Sequence, residues 1–140
     1  ALVSRTRMDT VLRIRGLQER IERAAVARDQ VLIAERQRYE STAVSAVDDA
    51  SNSMPTVAAK FVAHRRMLDG GMRDIALAAA AVAVAHGALT SSLASWSLAA
   101  QRLEGVERLQ ARTTELAQAE LEHSERAELD DIVIMRWDRD

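Results

Sequence analysis

Phe61, Leu68, Ile75, Val82, Leu89, Trp96 and Leu103 stand seven positions apart in the second half of the chain. On an α-helix that interval draws one long apolar stripe, the seam of a coiled coil. Three residues on from each comes a companion position, occupied by His64, Gly71, Ala78, Ala85, Ser92, Ala99 and Val106. Most of these are small, which allows a partner backbone to come close. A helix of this length is unstable alone in water and needs a second helix to cover its stripe.

The partner is supplied upstream. From about Met8 the apolar residues Val11, Ile14, Leu17, Ile21, Ala24 and Val31 recur three, four or seven apart with charges between them, which predicts a first helix packing through that stripe. After Val31 the phase shifts toward Leu32, Tyr39, Ala43 and Ala46. The run Asp48-Asp49-Ala50-Ser51-Asn52-Ser53-Met54-Pro55 has no apolar period and is rich in helix breakers and caps. Asn52 or Ser53 is expected to cap the next helix, with Pro55 tolerated in its first turn. The predicted fold is all-α: a single coiled-coil domain over 1–140, with a helix at about 8–50, a turn at about 51–55 and a helix at about 56–137. Such a short connection makes the two helices antiparallel neighbours.

The lengths do not match. At 1.5 Å per residue the helices measure roughly 65 Å and 120 Å. Folding about residue 53 sets Ile14 near residues 92–96 and leaves the chain beyond about residue 105 as an overhang. That overhang carries Val106, Leu109, Leu116, Leu121, Leu129, Ile132, Ile134 and Trp137, more apolar surface than a solvated helix should show. The sevenfold series also reaches polar Gln110 there, read either as a stutter or as a change of partner. Gly70-Gly71 inside the second helix is expected to kink it rather than break it.

Composition narrows the function classes. The chain has no cysteine, which excludes disulfides and thiolate chemistry. His64, His86 and His123 are too scattered for a local metal site, and the one Glu-x-x-His, Glu120 to His123, is a single copy of a motif that di-iron bundles use twice. No phosphate loop or nucleophile elbow occurs, so no catalytic, cofactor-binding or metal residue is expected. Residues 1–23 carry six arginines against three acids, whereas residues 103–140 carry five arginines against eleven acids. With acids interspersed and no aromatic platform, the basic start reads as a solvated helix face rather than a nucleic-acid grip. Residues 75–101 contain no Asp, Glu, Lys or Arg, formally enough to span a bilayer. Their Ala, Ser and Thr content favours helix packing instead. Arg5, Arg7, Asp9, Arg13 and Arg15 interrupt any signal-peptide pattern, so secretion by the usual route is not expected.

Several segments carry a family resemblance. Ser95-Trp96, Gln101-Arg102-Leu103-Glu104, Glu107-Arg108-Leu109-Gln110-Ala111-Arg112 and Glu125-Arg126-Ala127-Glu128-Leu129-Asp130-Asp131, with the opening Asp9-Thr10-Val11-Leu12-Arg13-Ile14-Arg15-Gly16-Leu17-Gln18-Glu19, resemble the flagellar FliJ family. The resemblance covers nearly the whole chain, and the stalk proteins of virulence secretion systems share the architecture. It implies a non-enzymatic coiled-coil component of type III export in the cytoplasm, peripheral to the inner membrane. It further implies contact with the export ATPase ring, the cytoplasmic part of the export gate and export chaperones. By that likeness Leu129, Ile132, Ile134 and Trp137 engage the ATPase ring, and Tyr39 matches an aromatic that faces the gate. The alternatives from other classes are a self-associating structural coiled coil and a membrane-associated helical protein.

Overall fold

The structure is a computed structural model that describes residues 2–137. It has two helices, α1 (Leu2–Ser51) and α2 (Ala58–Trp137), and no strand among the described residues. α1 starts earlier and α2 slightly later than the periodicity suggests. Gly70 and Gly71 lie inside an uninterrupted α2, so the glycine pair does not break the helix.

The connection departs from expectation in its capping. The Asn52 and Ser53 amides donate back to the carbonyls of Asp48 and Ala50, and the Ser53 hydroxyl donates to the carbonyl of Asp49. These residues therefore close α1 rather than open α2. Orphan carbonyls at a helix end need such donors, and here they are supplied within the next few residues. The amides of Lys60 and Phe61 both donate to the carbonyl of Val57, which starts the α2 ladder.

The chain divides into two compact units, Glu19–Ala99 and the pair Ala1–Gln18 with Ala100–Asp140. In the first, α1 and α2 run antiparallel: Ser92 reaches Asp29, while Gly71 lies against Val47. Its α2 seam is the expected one from His64 and Leu68 through Gly71, Ile75, Ala78, Val82, Ala85, Leu89, Ser92 and Trp96 to Ala99, with Ala78 and Ala85 the most deeply buried. Phe61 is the exception and is exposed, because the pairing has not yet begun one turn into α2. The core is thin: Val26, Ile33, Ala78 and Ala85 are its only buried apolar residues among those described.

α1 meets that seam with a different face from the one its apolar period suggests. Val11, Ile14, Leu17, Ile21 and Val31 are all exposed. The positions turned inward in Glu19–Ala99 are Glu19, Glu22, Ala25, Val26, Asp29, Leu32, Ile33, Glu40, Ala43, Val47 and Ala50, a stripe interrupted in its first half by three carboxylates. The reason lies in α2, whose inward Trp96 and Ser92 carry donors that a purely apolar face would strand.

In the other unit the α1 side turns Met8, Leu12 and Arg15 inward, and the α2 side turns Ala100, Leu103, Val106 and Gln110. The sevenfold series is not abandoned at Gln110. The amide of that side chain donates to Asp9 Oδ1 at 3.2 Å, so the polar residue continues the seam with a polar partner. The pairing register differs from a fold about residue 53: Trp96 meets Glu19 and Gln110 meets Asp9. Ile14 is therefore not placed at 92–96, and the covered part of α2 runs to Gln110 rather than to about 105.

Gly71 leaves no room for a side chain against α1. A Cβ built there would stand 2.5 Å from Val47 Cγ2, whereas one on Gly70 meets nothing within 4 Å. Valine is stiff at χ1 in a helix and yields little. Gly70→Ala is expected to raise stability by about 0.5–1 kcal/mol through helix propensity. Gly71→Ala loses that gain to the clash and recovers it only on a Val47→Ala background. Thermal melts of the four variants followed by circular dichroism measure the pattern.

Candidate functional site: a carboxylate-lined seam and exposed contact faces

Two carboxylates sit inside the helix pair. Glu19 and Asp29 are both buried, ten residues apart on α1. Trp96 Nε1 donates to Glu19 Oε1 at 2.8 Å, and Arg23 on the next turn donates to the same oxygen through Nη2 at 2.6 Å and Nε at 3.1 Å. Asp29 receives the Ser92 hydroxyl on one oxygen and the Arg28 guanidinium on the other, the latter at 3.2 and 3.3 Å. No buried side-chain polar atom among the described residues lacks a partner. Each carboxylate is thus held from across the seam by a neutral donor and from its own helix by an arginine.

These bonds favour the ionised form. The Trp96 hydrogen bond, followed by Arg23 and Arg20, holds Glu19 below its ordinary value of 4.5 against the opposing cost of burial. For Asp29 the Ser92 hydrogen bond, then Arg28, does the same relative to 3.8. A folded-state value below the unfolded one gives stability that is fully present above the unfolded value and lost as pH falls through the folded one. The hairpin is therefore expected to keep its stability from neutral pH down to about 4.5 and to weaken below about 3.8. Glu19→Gln with Asp29→Asn should flatten that acid limb, as read from urea midpoints across pH.

Of the residues singled out in the sequence, Leu129, Ile132, Ile134 and Trp137 are exposed on α2, and Trp137 is 85% accessible. Every described residue from 111 to 137 is exposed. At about 100° per residue, Leu121, Leu129 and Ile132 share one arc, while Trp137 turns away from it toward Ile134. Ile134 falls on another flank, in line with Leu116. Tyr39 is exposed on the outward side of α1, on the same stripe as Ile21. His64 is half-buried in the seam, whereas His86 and His123 are exposed. Among the described residues no His, Asp and Glu side chains gather in a group able to hold a metal ion. α2 is, among the described residues, the one helix long and apolar enough by length and composition to cross a membrane, with a window of mean hydropathy 1.6.

Sequence reasoning missed Glu19 and Asp29. A signal was present: Trp96 and Ser92 stand on the α2 seam, and buried indole and hydroxyl donors require acceptors from the facing helix.

An antiparallel helical hairpin that leaves large apolar residues uncovered is a coiled-coil protein built to present contact faces. The family model described as flagellar FliJ protein matches residues 4–140, and the chain belongs to that family. Membership makes it a component of the flagellar protein-export apparatus. No curated relative and no solved structure matches the chain.

Proposed function

We propose that the chain is a non-enzymatic coupling stalk of flagellar type III export, linking the export ATPase ring to the export gate and passing on export chaperones. The observation that carries this reading is the exposed end of α2. Residues 111–137 display Leu116, Leu121, Leu129, Ile132, Val133, Ile134, Met135 and Trp137 to solvent, and so much apolar surface calls for a partner from another chain. The excess of acids over arginines in residues 103–140 selects a partner whose contact surface is basic. Leu129, Ile132, Ile134 and Trp137 engage the ATPase ring, and Tyr39, on the outward side of α1, meets the cytoplasmic part of the gate. The protein works in the cytoplasm, at the inner-membrane export apparatus.

The test is a calorimetric titration of the full chain with the purified export ATPase and, separately, with the gate's cytoplasmic domain. Saturable binding to both supports the stalk. Absence of ATPase binding at high micromolar concentration overturns it. Tyr39→Ala is expected to weaken the gate interaction about tenfold, the usual cost of truncating an aromatic anchor, while leaving ATPase affinity unchanged. Equal gate affinity for the variant removes Tyr39 from that contact.

A further inference from the structure

The outward face of α2 in the unit Glu19–Ala99 carries a second repeat. Leu77, Ala80, Val84, Gly87, Ala94 and Leu98 follow the same three-and-four spacing as the seam, offset from it by two residues, with Ser91 completing the series. All seven are exposed, Leu77 by 70% and Val84 by 75%. A solvated helix face has no reason to exclude charge, yet residues 75–101 contain none on any side. A seam sustained over three heptads is a coiled-coil signal, and here the hairpin leaves it uncovered.

We infer that this face is a self-association surface, and that its occupant is the same face of a second copy, packed antiparallel. Charge decides the occupant. Any charge on a helix face laid on residues 77–98 is buried with no counter-charge to meet it, and where the inward face offers Trp96 and Ser92 as donors, this face offers only the Ser91 hydroxyl. The occupant must present an uncharged face over the same three heptads, and residues 75–101 of a second copy present one. Shape agrees. A two-fold axis passing between Gly87 and Ser91 sets Leu98 opposite Ala80 and Val84 opposite Ala94, so each of these large side chains meets a small one, and Leu77 lies at the rim opposite Gln101. Gly87 faces Ser91, and a Cβ on Gly87 would meet nothing within 4 Å, so the second backbone has room to come close. An isologous contact of this kind closes at two copies. It uses neither the exposed 111–137 segment nor Tyr39, so the pairing is independent of the stalk reading.

Sedimentation equilibrium of the full chain, without detergent and from one to about 100 µM, is the experiment. A monomer–dimer equilibrium is expected, with Val84→Glu raising the dissociation constant at least tenfold and leaving the circular dichroism spectrum unchanged. The absence of cysteine permits site-specific linking. Gly87→Cys mixed with Ser91→Cys should form a disulfide between copies, since bridged Cα atoms lie within about 7 Å. Leu77→Cys should not link to itself, because antiparallel pairing puts the two copies of that residue roughly 36 Å apart. A monomer throughout the range, a dimer indifferent to Val84→Glu, or partition of the wild-type chain into neutral phosphatidylcholine vesicles overturns the proposal. ATPase titration of Val84→Glu separates it from the stalk function, since that affinity should not change.

Discussion

Trp137→Ala combined with Ile134→Ala is expected to lower affinity for the export ATPase by about two orders of magnitude with no loss of helix. Truncating a large apolar anchor at the centre of an interface costs on the order of 1–3 kcal/mol, and two such losses on one arc sum to roughly a hundredfold. Both side chains are exposed in the unbound chain, so nothing within the hairpin depends on them, and alanine is the best helix former. Ile132→Ala probes the other flank. It adds a comparable loss if the ring surrounds the helix and little if the contact is one-sided. Calorimetric titration reads the affinity and circular dichroism the helix content. An unchanged affinity in the double variant would remove the α2 end from the ATPase contact.

Ile33→Ala is expected to destabilise the hairpin by about 2–3 kcal/mol, whereas Ile21→Ala should stay within about 0.5 kcal/mol. The two substitutions delete the same atoms from the same helix. They differ in that Ile33 is buried while Ile21 is exposed. Val26→Ala should follow Ile33, at about 1–2 kcal/mol for its smaller side chain. Urea unfolding gives the values. If Ile21 and Ile14 prove the costly positions and Ile33 the neutral one, α1 pairs through its apolar stripe and the polar seam is wrong. With so few buried residues, the loss of one is a large share of the total.

The contrast between these isoleucines shows how far the sequence could be read. The α2 seam from Leu68 to Val106 was legible because one long helix repeats its interval many times, and no alternative stripe on α2 keeps its interval over so many heptads. The antiparallel arrangement followed from the cluster of breakers around Ser53. The face of α1 was not legible from hydrophobicity, because Ile14, Leu17 and Ile21 outweigh Glu19, Glu22 and Asp29 in any apolar count. What decided the matter was a requirement from the other helix: the indole of Trp96 and the hydroxyl of Ser92 needed acceptors, and only the carboxylate face of α1 supplied them. Register suffered for a related reason. Taking residue 53 as the pivot ignored that α2 starts only at Ala58, which moves every partner of α1 toward the C-terminus. At the contact faces, Leu129, Ile132 and Trp137 could be named from the sequence because their apolar character has no use inside the hairpin. The outward Leu77-to-Leu98 repeat was hidden, since alanine-rich stretches look alike on every side until one side is known to be occupied.

The bonds from Trp96 to Glu19 and from Ser92 to Asp29 also bear on mechanics. Sliding one helix along the other by a single 5.4 Å turn would break both bonds at once and bring at most one carboxylate to the other's donor, leaving its fellow ionised and facing alanine. A seam of aliphatic side chains alone would shear by whole heptads at little cost, since each rung resembles the next. The carboxylates act as detents, and a tug on one strand moves both together instead of drawing one past the other.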